Sequence, residues 1–155
     1  MEIENKLETL SAAARFDICG YSGSRPMGQS PFRFIYKAAL PRGGCVSLFK
    51  VLLTNVCTND CAYCVNQVGR DCPRATFQPE ELARTFMQLY EKRLVQGLFL
   101  SSGIAGNASR TMEKMITAVE ILRQQYEFKG YIHLKILPGA SFDCVEAGCK
   151  LASRV

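Results

Sequence analysis

Three cysteines, Cys57, Cys61 and Cys64, fall within eight residues of the segment Leu53-Thr-Asn-Val-Cys57-Thr-Asn-Asp-Cys61-Ala-Tyr-Cys64. Their C-x3-C-x2-C spacing places three soft thiolate donors in one short loop. A cubane iron–sulfur cluster normally takes four thiolates. Three would hold three irons and leave the fourth open to a substrate or cofactor, which suits catalysis better than simple electron transfer. Two other readings of the same residues stand beside this one. Cys72 could complete a four-thiolate zinc site. Such sites usually pair one C-x2-C with a second, or with histidines, and this chain has one C-x2-C and one histidine, His133. Alternatively the three are unrelated structural cysteines, which their crowding disfavours. The remaining five, Cys19, Cys45, Cys72, Cys144 and Cys149, read as small buried apolar residues.

The rest of the composition narrows the setting. The chain has 155 residues, 48% hydrophobic and 21% charged, with a net charge of +5. This is the composition and length of one globular domain. The longest apolar stretch, Val46 to Leu53, already contains Lys50 and is far too short to span a bilayer. The acidic start, Met1-Glu2-Ile3-Glu4, lacks the basic and apolar regions of a signal peptide. The expectation is a soluble cytoplasmic protein with no membrane partner. In a reducing compartment, clustered cysteines hold a metal or do chemistry more often than they form disulfides. The positive balance suits an anionic partner without naming one.

The elements that must position the cysteines follow from periodicity. Residues 2 to 15 read as an amphipathic helix with Ile3, Leu7, Leu10 and Ala14 on one face. Gly20 to Gly44 is rich in Gly, Ser, Pro and Arg and reads as an irregular arm. Val46–Leu53 is a strand candidate, and the cysteine loop follows its C-terminal end, where ligand sites of parallel α/β sheets lie. Gln78-Pro79-Glu80-Glu81 opens a helix with an apolar stripe of Leu82, Phe86, Leu89, Tyr90 and Leu94. Gly97–Ser101 is a second strand ending in Ser-Ser-Gly. Thr111–Tyr126 is a helix whose Met112, Met115, Ile116, Val119 and Leu122 belong to the core. Tyr131–Leu137 is a third strand, stopped by Pro138-Gly139, and Ser141 caps a helix running toward Ala152. The alternation predicts an α/β fold with a parallel sheet. Two parts are expected: 1–45, the helix and basic arm, and 46–155, the core.

These residues now resemble a known group. C-x3-C-x2-C with an aromatic, Tyr63, before the third cysteine, between two strands of which the second ends in a small-residue turn, resembles the radical S-adenosylmethionine superfamily. Met1-Glu-Ile-Glu-Asn-Lys-Leu7, Gln96-Gly-Leu-Phe-Leu-Ser-Ser-Gly103 and Gly130-Tyr-Ile-His-Leu-Lys-Ile-Leu-Pro-Gly139 extend the likeness over nearly the whole chain. They are similar to the family of DNA modification or repair radical SAM proteins, whose members are longer and are associated with a uracil-DNA-glycosylase-like partner. The resemblance implies a [4Fe–4S] cluster on Cys57, Cys61 and Cys64 whose open iron chelates S-adenosylmethionine. It further implies an electron donor of flavodoxin or ferredoxin type, and a 5′-deoxyadenosyl radical that abstracts hydrogen. Tyr63 and the turn Ser101, Ser102 and Gly103 are implied in cofactor binding. The turn occupies the place of a glycine-rich motif, with serines here instead of its first two glycines.

The implied fold is the front half of a partial (β/α)6 barrel. Residues 46–155 supply three β–α units of about 30 residues each and the start of a fourth strand at Ser153–Val155. Such a half is expected to turn over little or not at all. Within it, Ile132, Leu134 and Ile136 would lie under the helices, while His133 and Lys135 point inward. A buried cation needs a partner, so Lys135 is expected to meet a cofactor carboxylate or a substrate phosphate. His133 would be a general acid or a ribose contact. On an edge strand both side chains would simply be solvated.

Charge distribution adds a partner. From Ile18 through Asn59 there is no Asp or Glu, while Arg25, Arg33, Lys37, Arg42 and Lys50 are interleaved with Tyr21, Phe32, Phe34 and Tyr36. Bases that neutralise phosphate beside rings that stack on nucleobases are the features of single-strand binders. An acid-free stretch would equally suit an electron-rich cluster and an anionic cofactor, and the rings could pin the arm to the core. Two alternatives to a nucleic-acid radical enzyme therefore stand. One is a non-enzymatic, zinc- or cluster-stabilised nucleic-acid module; the other is a radical enzyme acting on a small molecule or protein.

Overall fold

Apolar runs of four to eight residues, separated by amphipathic helices, fold into one sheet with helices packed on it. The computed structural model describes residues 2–17, 35–39 and 43–155. Its elements are α1 (Ile3–Ala14), β1 (Ile35–Ala39), β2 (Cys45–Leu52), α2 (Pro79–Glu91), β3 (Gly97–Ser101), α3 (Ala108–Glu120), β4 (Tyr131–Leu134) and α4 (Phe142–Leu151). A π-helical turn, Ile121–Gln125, continues α3. The strands form an open sheet in the order β1-β2-β3-β4. β2, β3 and β4 are parallel, and β1 runs antiparallel to β2.

The three parallel strands and the helices between them lie where the sequence periodicity puts them, with boundaries displaced by a few residues. α2 starts at Pro79, and a reciprocal capping box between Gln78 and Glu81 satisfies its first amides. α3 starts earlier than expected because Asn107 caps it, accepting from the Arg110 N–H at 3.0 Å. β4 ends at Leu134 rather than Leu137, ahead of the Pro138-Gly139 turn.

The reading of Gly20–Gly44 as irregular is corrected at Ile35–Ala39, which pair with Phe49 through Cys45 as an antiparallel strand. Gly43 and Gly44, both with φ of +87°, make the tight return that side chains disfavour. Glycine richness there marks a hairpin connection. Arg25, Arg33 and Arg42, with Tyr21, Phe32 and Phe34, lie outside the described residues. Lys37 is exposed on β1.

The core lies between the sheet and the helices. Phe49, Leu98 and Ile132 share one register row and are fully buried. Phe86 of α2 stacks on Phe49 at 6.5 Å and meets Phe128 edge-on at 4.9 Å. Met112 and Met115 are buried as expected. Each such side chain contributes about 1.5–3 kcal/mol by leaving water. α1 joins this body through buried Leu10 and Ala14 and through Lys6, which pairs with both carboxylate oxygens of Glu81 at 2.8 and 2.6 Å.

Past β4, Arg154 makes an isolated parallel bridge with His133. The Leu134 N–H donates to the Arg154 carbonyl at 2.9 Å. No described helix is long and apolar enough to cross a membrane.

Candidate functional site

The chain leaves β2 at Leu53 and returns at Thr76, and the base of this loop is clamped. The Leu53 N–H donates to Ser101 O, and the Phe77 N–H to Leu53 O, both at 2.8 Å. Thr54 and Asn55 are buried polar residues, and both are satisfied within the loop. The Thr54 hydroxyl donates to Ala75 O at 3.0 Å, and Asn55 Nδ2 to Pro73 O at 2.7 Å. Asn55 Oδ1 accepts from the Ala75 N–H at 2.8 Å.

Arg74 then gathers the loop's backbone. Its Nη1 donates to Asn55 O at 2.6 Å and Asn66 O at 2.8 Å. Its Nη2 donates to Gln67 O at 2.8 Å and Arg70 O at 3.0 Å. A guanidinium presents five donors in a fixed fork, so one side chain fixes four carbonyls on both sides of the cysteines.

Held this way, Cys57, Cys61 and Cys64 are half-buried free thiols. The Cys64 N–H closes a turn onto Cys61 O at 2.9 Å. Two of the sulfurs accept backbone N–H groups: Cys64 Sγ from Asn66 at 3.4 Å and Cys57 Sγ from Ile104 at 3.5 Å. Hydrogen bonds of this kind tune the potential of metal-bound sulfur. Cys72, in the same loop, is also half-buried, and its thiol donates to Val65 O at 3.9 Å. Among the described residues, no three His, Cys, Asp or Glu side chains gather closely enough to hold one metal ion.

The turn after β3 is brought against this loop. The Gly103 N–H donates to Thr54 O at 2.7 Å. Ile104 O accepts from both the N–H and the hydroxyl of Thr58, at 2.9 and 3.1 Å. A Cβ on Gly103 would lie 2.6 Å from Val56 O and 3.3 Å from Cys57 Cβ. Only glycine lets the two segments approach this closely. Ser101 is buried, Ser102 donates to Gly103 O at 2.7 Å, and Tyr63 is 90% exposed.

On the sheet, Lys50, Phe99 and His133 form one register row. His133 is 9% exposed and stands edge-on to Phe99 at 4.8 Å. Burial first, then the charges of Arg154, Lys135 and Lys50, lower its pKa from 6.5 to about 4. His133 is therefore neutral at pH 7. Lys135 has a partner within the chain, because its ammonium pairs with the Asp17 carboxylate just after α1. Lys135 is not the buried strand cation that was expected: it lies just past the end of β4 with its side chain 44% exposed, and an internal acid is its partner.

The expectation that the remaining cysteines are buried holds for Cys144 alone among those described. Cys45 and Cys149 are exposed, because Cys45 opens β2 beside the hairpin return and Cys149 lies on the open side of α4. Cys19 lies outside the described residues. The groove lined by Ser47, Tyr90, Arg93 and Gln96 lies at the start of β2 and β3, the opposite end of the sheet from the cysteines.

Asn55, Arg74 and Asp17 are the residues that sequence reasoning missed. The first two act on backbone groups, which every residue carries, so no pattern marks them. The need of Lys135 for an acid was the one signal for Asp17. No protein family, curated protein or solved structure compared with the chain matches it.

Proposed function

We propose that this chain is a radical S-adenosylmethionine enzyme that holds a [4Fe–4S] cluster on Cys57, Cys61 and Cys64. The observation that carries the reading is the loop itself. Three free, half-buried thiols share one loop after a parallel strand, Cys57 packs against the turn at Gly103-Ile104, and two of the sulfurs receive backbone N–H groups. Three thiolates in one loop are the number and type of donor that a cluster with one iron left for a cofactor calls for. When bound, the cluster and S-adenosylmethionine would supply a 5′-deoxyadenosyl radical, with a flavodoxin or ferredoxin as the reductant.

The chain's own part is to bind and to position. Asn55 and Arg74 keep the cysteine backbone rigid. Gly103 lets the cofactor-binding turn reach the loop, and Ser101, Ser102 and Tyr63 complete the cofactor's surroundings. Neutral His133 and buried Phe99 restrict water on the sheet face. Nucleic acid is the proposed substrate class, contacted by Arg25, Arg33, Lys37 and Arg42, with a uracil-DNA-glycosylase-like protein as a proposed partner. Lys50 is removed from that contact, because it is buried against Tyr36 and Phe99.

Anaerobic reconstitution with iron and sulfide tests the reading. The expected result is about four irons and four sulfides per chain, lost in the triple Cys57→Ala, Cys61→Ala, Cys64→Ala variant. One equivalent of zinc with no broad visible absorption would overturn it. Half-buried Cys72 in the same loop would then become the fourth ligand of a zinc-stabilised nucleic-acid module.

A further inference from the structure

Strand pairing gathers positive charge on one face of the sheet. Directly paired residues project to the same side, so Lys50, Phe99 and His133 lie together, and Arg154, the bridge partner of His133, extends the row. Lys135 follows His133 by two residues and continues this face. The charged groups that act on His133 are the cations Arg154, Lys135 and Lys50 and one acid, Asp17.

Asp17 engages both lysines at once. Its backbone carbonyl accepts from Lys50 Nζ, and its carboxylate pairs with Lys135 Nζ. Lys50 is only 6% exposed, and its ammonium also lies 4.7 Å from the Tyr36 ring centre and 5.2 Å from that of Phe99. The Lys135 side chain is 44% exposed, whereas that of Asp17 is 17% exposed. The cation is thus reached from solution while its counter-ion is tucked under the end of α1.

We propose that Lys135 is a phosphate-binding site that Asp17 fills in cis, with the buried Lys50 contributing its charge but no contact. The carboxylate stands where a phosphate group of a ligand would sit. Among the described residues this face sets three cations against one carboxylate, and a doubly charged phosphate group balances them better. A ligand can reach the cation, because the Lys135 side chain is 44% exposed. Exchange is local: the Asp17 amide is tied to Ala14 O at 3.0 Å, and α1 is anchored by Leu10, Ala14 and the Lys6–Glu81 pair. The carboxylate can therefore swing away while the helix stays in place. The position just past the C-terminal end of a parallel strand is also where open α/β sheets receive ligands.

The test uses the full chain and inorganic pyrophosphate, followed by calorimetry at fixed low salt. It needs neither metal nor S-adenosylmethionine, so its outcome is independent of the cluster. Wild-type protein should bind pyrophosphate weakly, and Asp17→Asn should bind it at least ten-fold more tightly. Adding Lys135→Gln to Asp17→Asn should abolish the gain. Asp17→Ser repeats the test should the Asn variant be poorly folded. Adenosine diphosphate binding more tightly than pyrophosphate would identify the phosphate source as a nucleotide. Unchanged affinity in both Asp17 variants, or full binding after Lys135→Gln, would overturn the site. Equal tightening toward succinate would overturn its assignment to phosphate.

Discussion

Arg74→Ala is the perturbation that most directly tests how the cysteine loop is built. The guanidinium donates four hydrogen bonds to Asn55, Asn66, Gln67 and Arg70 carbonyls, at 2.6 to 3.0 Å. A hydrogen bond to a charged group is worth about 1.5–3 kcal/mol where water cannot replace it. The Arg70 carbonyl is exposed, and water would take over that contact at little cost. Asn55 is buried, so its carbonyl bears most of the loss, with Asn66 and Gln67 sharing the rest. The expected cost is about 2–3 kcal/mol, which for a chain of this size lowers Tm by roughly 4–12 °C. Arg74→Lys should recover only a small part, because one ammonium cannot span carbonyls on both arms of the loop. Thermal melts under reducing conditions read the global effect. Amide exchange at Gln67, Val68 and Arg70, whose N–H groups donate to Cys64, Asn59 and Gln67 carbonyls, reads the local one. A Tm change under about 2 °C with unaltered exchange, or complete rescue by lysine, would refute the clamp.

Three further outcomes are expected. The pKa of His133 is lowered to about 4, chiefly by burial, so between about pH 6.5 and 4 the unfolded chain binds the extra proton. Stability is complete above that window and falls on acidification through it by up to about 3 kcal/mol; denaturation curves of wild type minus His133→Gln should show this difference, and parallel pH profiles would refute it. Gly103→Ala would place a Cβ 2.6 Å from Val56 O, so it should destabilise by about 1–3 kcal/mol and reduce iron uptake on reconstitution; unchanged iron content would show that the close approach is dispensable. Binding to single-stranded DNA should weaken steeply with salt, and an Arg25→Ala, Arg33→Ala, Arg42→Ala variant should flatten the slope; an unchanged slope would remove these residues from the interface.

What could be read from the sequence depended on how local each signal was. Parallel strands leave compact apolar runs, and Val46–Leu53 and Gly97–Ser101 therefore stood out. Ile35–Ala39 did not, because one edge strand beside paired glycines looks like irregular chain until its partner is known. The cysteine loop was visible for the opposite reason, since three thiols in eight residues carry their chemistry in their spacing. Its clamp was invisible, because Arg74 acts on carbonyls that no residue type advertises. Lys135 shows where inference reached its boundary. The alternation of Tyr131–Leu137 puts it inward and asks for a negative partner, with an external anion as the expectation. Asp17 meets the same electrostatic demand from 118 residues away in sequence, a distance no periodicity spans. An inward cation specifies only the charge of what it meets. Whether that charge belongs to the chain or to a ligand is decided by which binds better, and for Lys135 the Asp17 variants put that choice to experiment.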